Sequence, residues 1–431
     1  MTTVTEPHRL WRNARYLTWL VSDTSKGLAA SLFGFAIPLL ALIVTNDPAQ
    51  AGIIGGAGMV ARLLMTLAGG VLADRHRRIA LMLLGSLIGI VLAGGFTLLA
   101  LGDAMTFGSL LVIDVLLAAR SGLFDVAGES AIKEIVPDDA MGRAQAANQG
   151  RDAALQLAGG PLGGLLLGVG GWLVGVVMTL CHAIAALTAW MLGRQARRAG
   201  VVDAGADEDD APTMTAKPNA WAEMREGFGW LLSRPDLGGV LLITTVINLG
   251  FNATITTVIY ALQQDGYSEL LIGTLSASIG AVMLVGAVCA PLLVPRIKAG
   301  ILTIAGLSVV SVGAVVLSMV TEPWAIAVVL GASVLLVPAL NAGMMGYFMV
   351  ATPSHLLGRA NSAAGVLGMG AMPLAPLIAG FGLAWLGREW TILICAALCL
   401  IAVVLAVSNR ALRALPVESG WAAHAKQYES A

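Results

Sequence analysis

The sequence predicts an all-α polytopic membrane protein of twelve transmembrane helices in two six-helix halves. Three observations predict it: the composition, the spacing of apolar runs and the placement of basic residues. Apolar residues make up 57% of the 431 positions and charged residues 12%, against about 25% charged in a soluble domain. A spanning helix needs roughly 20 mostly apolar residues, and runs of that length recur nearly end to end. The formal net charge of −1 decides little, because what matters is where each charge lies relative to the spans.

Broken at charged or Gly/Pro-rich punctuation, the apolar runs fall near 17–44, 51–73, 79–101, 105–128, 143–169 and 171–192. After a gap they resume near 236–262, 269–293, 300–320, 324–350, 361–386 and 390–408. The first run is expected to stay in the mature chain, since sixteen fairly polar residues precede it and it is too long for a signal-peptide core. Residues 1–192 then form one half, 193–235 a cytoplasmic linker, 236–408 the second half and 409–431 a cytoplasmic tail. The linker holds the acidic run Asp207, Glu208, Asp209 and Asp210 followed by Pro212 and Pro218, which reads as a solvated segment. Beyond it, Trp221, Met224, Phe228, Leu231 and Leu232 recur at helical spacing and predict a short interfacial helix.

Basic residues flanking short loops are retained on the cytoplasmic side. Arg9, Arg12, Arg15, Arg75, Arg77, Arg78, Lys133, Arg143, Arg296, Lys298 and Arg359 all fall on the side of the N-terminus, whereas Arg388 alone lies in an expected outer loop. The expected outer loops otherwise carry Asp47, Asp103, Asp265, Glu269 and Glu322. Both termini are therefore expected in the cytoplasm, in the inner membrane of the cell.

An internal repeat supports two parallel halves. An offset of 216 residues brings VPDDAMGRA at 136–144 onto TPSHLLGRA at 352–360, and pairs Gly70 with Gly286, Asp125 with Asn341, Gly164 with Gly380 and Gly171 with Gly387.

After the second run the chain reads GGVLADRHRR, through Gly70, Asp74, Arg75 and Arg78. This resembles the Gly-x-x-x-Asp-Arg-x-Gly-Arg-Arg loop of major facilitator transporters, with Arg77 where the family has glycine. The fifth run holds QLAGGPLGGLL, with Gly160, Pro161 and Gly164, similar to the Gly-Pro-x-x-Gly-Gly signature of exporters in that family but one residue short. Arg120 followed by small residues in the fourth run looks like the family's mid-membrane arginine motif. Taken together, the chain resembles the drug-efflux branch that contains macrolide and enterobactin exporters. The resemblance implies the major facilitator fold, a gating role for these two motifs, and proton-coupled antiport of drugs or antibiotics. Export of one endogenous metabolite such as a siderophore is the alternative.

The intramembrane charges carry the chemistry. Asp23, Asp114, Asp125 and Asp152 with Lys26, Arg62, Arg120 and Arg151 all lie in the first half. Each costs about 2.5 to 3.5 kcal/mol at a helix centre, so all are expected to face the protein interior. Asp114, Ser121 and Asp125 form one stripe, as do Gln145, Asn148, Asp152 and Gln156, while Asp23 and Lys26 stand three apart and can pair. Asp23 and Asp125, tuned by Arg120, are the expected proton carriers, with Asp114 and Asp152 behind them. The second half has no ionisable residue away from its span ends apart from cysteine and tyrosine; Asn248, Phe251, Asn252, Tyr260, Asn341 and Met344 offer a soft surface for a bulky amphipathic ligand.

Other function classes fit poorly. No phosphate-binding GxxxxGK[ST] loop occurs, and no loop is long enough to hold a nucleotide-binding domain. The histidines His8, His76, His182, His355 and His424 are scattered, only His182 lies within a run, and no metal-ligand spacing occurs. Cys181, Cys289, Cys395 and Cys399 sit in apolar runs and read as small buried side chains. No catalytic group, metal, cofactor or nucleic acid is expected, only an amphipathic small molecule, protons and the lipid bilayer, with the protein a monomer.

Overall fold

The computed structural model describes residues 10–198, 220–353 and 356–428. The acidic linker run at 207–210, with Pro212 and Pro218, lies outside the described residues, as do the side chains of Asp74, Lys133, Trp221 and Met224. The helices of the first part are α1 (Ala14–Thr45), α2 (Pro48–Arg75), α3 (Arg78–Leu101), α4 (Phe107–Ala131), α5 (Asp138–Val169) and α6 (Gly171–Arg198). Those of the second are α7 (Ala220–Ser233), α8 (Pro235–Gln264), α9 (Glu269–Leu293), α10 (Ala299–Met319), α11 (Pro323–Val334), α12 (Val337–Ala351), α13 (Leu357–Met369), α14 (Leu374–Trp385), α15 (Gly387–Ser408), α16 (Arg410–Ala414) and α17 (Trp421–Lys426). Among the described residues, eleven helical spans are long and apolar enough to cross a membrane. The twelfth is α4, 25 residues long, whose Asp114, Arg120, Asp125 and Glu129 lower its hydropathy without shortening it. The fold is the all-α, twelve-helix multi-pass architecture.

Helix ends run past the hydropathy limits because polar residues continue the backbone ladder beyond the apolar slab. Thus α1 begins at Ala14, where the Asn13 side chain accepts from the backbone N–H groups of Arg15 and Tyr16 at 3.0 and 3.3 Å. Likewise α5 starts at Asp138 and α6 runs on to Arg198. Two expected continuous spans are instead broken. The run at 324–350 divides into α11 and α12, since Pro338 has no N–H to offer Val334, the last residue of α11. The run at 361–386 divides at 370–373 for the same reason, Pro373 leaving Met369 without its helical donor.

Two compact units emerge. The first comprises Met1–Asn46, Ile54–Thr213 and Tyr267–Ala277; the second comprises Asp47–Ile53, Met214–Gly266 and Ser278–Ala431. The first unit is a bundle in which α6 packs along α1 and α3, and α4 and α5 close around α1. Its buried cluster at the α1 start gathers Tyr16, Trp19, Met82, Ile132, Ala189 and Leu192. Large apolar side chains such as Val91 and Leu98, each 72% exposed, point outward from α3, as a bilayer-facing surface requires.

The second unit is centred on α8, α10 and α15, whose cluster includes Leu237, Ile247, Leu307, Tyr347 and Ala402. The segment after the linker run is helical: α7 buries Leu231, packs Phe228 on that cluster and leaves Leu232 exposed. The tail folds back, seating Trp421 of α17 against Gly346 of α12. Arg234 donates to both oxygens of fully buried Asp236 at 2.9 and 2.8 Å, and the Tyr347 hydroxyl donates to the same carboxylate at 2.5 Å. That charge is therefore satisfied on every side, as burial demands. Cys181, Cys395 and Cys399 are buried and Cys289 partly so, all free thiols.

The repeat is visible in close helix contacts inside each unit. In the first, Gly164 lies against Glu269 and Gly160 against Gly273. In the second, Gly380 and Pro376, each 216 residues further on, lie against Pro48 and Gly52. Glycine also serves the tight turns that follow α5 and α14, Gly170 at φ 153° and Gly387 at φ 79°, although the 216-residue offset pairs Gly387 with Gly171 and so leaves these two one residue out of register.

Candidate functional site

Six of the eight intramembrane charges form two neutralised groups inside the first unit. In one, Lys26 Nζ stands 3.1 Å from Asp23 Oδ1 and Arg151 Nη1 stands 2.8 Å from Asp23 Oδ2, while Arg151 also holds Asp152 at 2.8 Å. Charge alternates along this chain from α1 to α5, which offsets the cost of burial. Trp19 fits beneath it, donating from Nε1 to the Gly128 carbonyl at 2.9 Å, with the Arg151 guanidinium 5.8 Å from its ring centre. The close approach of α4 here depends on Gly128, since a methyl group would fall 2.5 Å from Lys26 Nζ.

In the other group Arg120 Nη2 donates to Asp125 Oδ1 at 3.0 Å and Ser121 donates to Asp125 Oδ2 at 2.6 Å. The same guanidinium reaches the Gly85 carbonyl at 3.4 Å and His182 Nδ1 at 3.3 Å. Because arginine has only donors, Nδ1 accepts and the imidazole hydrogen sits on Nε2. Arg120 thus ties α4 to α3 and α6. His182 was legible only as the one histidine within a span; nothing in its spacing named a partner.

Asp114 differs from the other three acids. It is 4% exposed, and its Oδ2 has no hydrogen-bond partner. It faces a cavity of about 140 Å³ lined by α1, α2, α4 and α6, whose polar lining also includes Arg62, Arg120, Ser121 and His182. Gly58 on α2 makes room for it: a Cβ there would overlap the Asp114 carboxylate. A polar cavity of this size has room for several waters.

Two of the eight charges, Asp152 and Arg62, have exposed side chains. Asp152 has 52% of its side chain exposed, because neighbouring residues on a helix diverge by about 100° and Arg151 takes the inward direction. Arg62 is also largely exposed while reaching the cavity wall. Gln145 and Gln156 of the expected α5 stripe are exposed too, leaving Asn148 buried.

The motif residues divide by packing. Arg75 is exposed, whereas Arg78 donates to Glu134 at 3.0 Å and to the Ser130 carbonyl at 3.3 Å, joining the start of α3 to the end of α4. A Cβ at Gly70 would meet nothing within 4 Å; the glycine that allows helix contact is Gly69, against the Gly122 and Leu123 carbonyls. In the second motif every glycine is used. Gly159 and Gly163 admit Ser31 and Phe35 of α1, while Gly160 and Gly164, flanking Pro161, admit the backbone of the first turns of α9. Pro161 sits within an unbroken α5.

The soft residues of the second unit differ in their surroundings. Asn248 donates to the Gly368 carbonyl at 3.2 Å and Asn252 to the Asn248 carbonyl at 2.8 Å. Phe251 and Met344 pack on the buried cluster, Tyr260 is wholly buried, and Asn341 is exposed. Among the described residues, no group of three or more His, Cys, Asp or Glu side chains is placed to hold a metal ion.

The family model of the Major Facilitator Superfamily matches residues 24–374. No curated protein matches the sequence. Among solved structures, a bacterial homologue of the iron transporter ferroportin in its inward-facing state superposes with a TM-score of 0.69 at 15% identity, over 93% of this chain and 99% of that one. The nucleoside transporter NupG, in a point-mutant form, superposes with a TM-score of 0.62 at 10% identity, over 91% of this chain and all of the other. At such identities the likeness concerns the fold. With the family model covering most of the chain and the twelve-helix fold matching known transporters, the protein belongs to the Major Facilitator Superfamily.

Proposed function

We propose that the chain is a proton-coupled antiporter that exports bulky lipophilic or cationic compounds, drugs or antibiotics among them, by alternating access. It sits in the inner membrane with both termini in the cytoplasm, the side on which the basic loop residues fall. The observation that carries this reading is Asp114, a buried acid with an unpartnered oxygen at a polar cavity, beside acids that are already neutralised in ion pairs. A buried carboxyl with no counter-charge in contact is costly when ionised, so it is suited to taking up and releasing a proton. The geometry favours it as the carrier ahead of Asp23 and Asp125. The Arg120–Asp125 pair is the adjoining charge that responds to its state, and Asp23 and Asp152 serve mainly to neutralise Arg151 and Lys26. Asp74, Arg75 and Arg78 brace the cytoplasmic gate, and the Gly160–Gly164 segment lets α5 move against α9.

Cargo recognition is assigned to the second half, whose side chains offer apolar, sulfur and amide surface without a fixed donor pattern. In counterflow with purified protein in liposomes, exchange of a labelled lipophilic cation should be saturable and inhibited by unrelated lipophilic cations. Sugars should not compete. Saturable exchange of a sugar that lipophilic cations leave unaffected would refute the cargo assignment.

A further inference from the structure

A second, larger concavity lies elsewhere in the first unit, where α1 and α3 begin and α6 ends. It has a volume of about 650 Å³, and its lining includes Arg15, Arg77, Arg78, Arg194 and Arg197 with a single acid, Glu134. Glu134 is already taken by Arg78. Among the described residues no carboxylate pairs with the other four arginines, and Arg15 Nε is buried without a hydrogen-bond partner. Such a collection of like charges is self-repelling unless an anion occupies it.

Its position identifies the anion. The arginines stand at or near the ends of helices that are long and apolar enough to cross a membrane, which is where headgroups meet such helices. Trp190 lines the site, 46% exposed, with the Arg194 guanidinium 4.6 Å from its ring centre, the arrangement expected of a residue at the membrane interface. Continuing from the site toward the middle of the membrane, α3 exposes Leu84, Leu87 and Val91, and α6 exposes Leu187 and Ile184. A phosphate with attached acyl chains matches that sequence of surfaces; a free anion uses only its upper end.

We propose that this pocket binds the headgroup of an anionic phospholipid, with its phosphate among Arg15, Arg77, Arg194 and Arg197 and its acyl chains along the outer faces of α3 and α6. The site is independent of the proton pathway. At the membrane surface each basic residue contributes about 1 kcal/mol toward an anionic lipid, which is roughly a fivefold change in affinity per arginine.

The test is lipid binding to the detergent-purified, full-length protein, by native mass spectrometry and by thermal unfolding. The probes are dioleoylphosphatidylglycerol, dioleoylphosphatidylcholine and inorganic phosphate. Wild type should retain the phosphatidylglycerol and unfold at higher temperature in its presence, with no comparable effect of phosphatidylcholine or phosphate. Arg194→Gln with Arg197→Gln should lose most of that retention, while the control Arg410→Gln with Arg413→Gln should keep it. Both double variants must fold, which their unfolding profiles without lipid report; if the first does not, Arg77→Gln replaces it. Equal retention in the wild type and the site variant would overturn the proposal, as would equal stabilisation by inorganic phosphate or by phosphatidylcholine.

Discussion

Replacing Asp114 by Asn is expected to abolish substrate-induced proton release from the purified protein and to collapse gradient-driven accumulation of cargo, while exchange without a gradient persists. The substitution keeps the shape of the side chain at Gly58 and removes only the ionisable oxygen. A proton moved through a potential of 100 mV supplies about 2.3 kcal/mol, so loss of one coupled charge reduces the attainable gradient by roughly fiftyfold. Asp125→Asn should have a different signature. It leaves Arg120 without its carboxylate though still bonded to His182 and Gly85, so proton release should survive with altered pH dependence and slower turnover. Asp23→Asn should mainly destabilise the protein, because it removes the carboxylate that lies between Lys26 and Arg151 and leaves Arg151 only Asp152. If Asp114→Asn releases protons as wild type does, the carrier is another group and the cavity acid is structural.

Adding one methyl group at Gly273 should do more damage than most substitutions in the chain. Its Cβ would overlap the Gly160 carbonyl oxygen, and the reciprocal change at Gly160 would place a Cβ 2.7 Å from the Gly273 carbonyl. Backbone faces backbone, so no side chain can rotate away and α5 must separate from α9. Overpacking of this kind costs about 1 to 3 kcal/mol. Gly273→Ala should therefore lower the unfolding temperature by several degrees and reduce turnover, with Gly160→Ala similar but milder. Gly70→Ala, where the added atom meets nothing, should leave the unfolding temperature unchanged. Wild-type stability and turnover in Gly273→Ala would show that the two helices do not rely on this contact.

The number and type of helices were legible because apolar length alone dictates them in a membrane. The two breaks were not, since hydropathy is blind to a missing N–H, although Pro338 and Pro373 marked the places. The repeat was legible in one loop and a few glycines, and the structure shows it in matching contacts at Gly164 and Gly380. At the candidate site the sequence singled out eight acids and bases, though not Glu129 of α4, along with the Asp23–Lys26 pairing and the stripe that joins Asp114, Ser121 and Asp125. It could not say which acid lacks a partner. That depends on how Arg151 and Arg120 choose among neighbours on other helices, and single-helix spacing carries no such information. The roles of Gly58 and Gly69 were hidden for a related reason: in a chain with 52 glycines, only tertiary contacts show which ones are needed.

Coupling of cargo export to protons can be measured in proteoliposomes loaded at acidic pH and diluted into alkaline buffer containing a labelled lipophilic cation. The cation should accumulate inside the vesicles, and the accumulation should be lost when the vesicles are loaded at the external pH. Saturable uptake that is the same with and without the pH difference would contradict it.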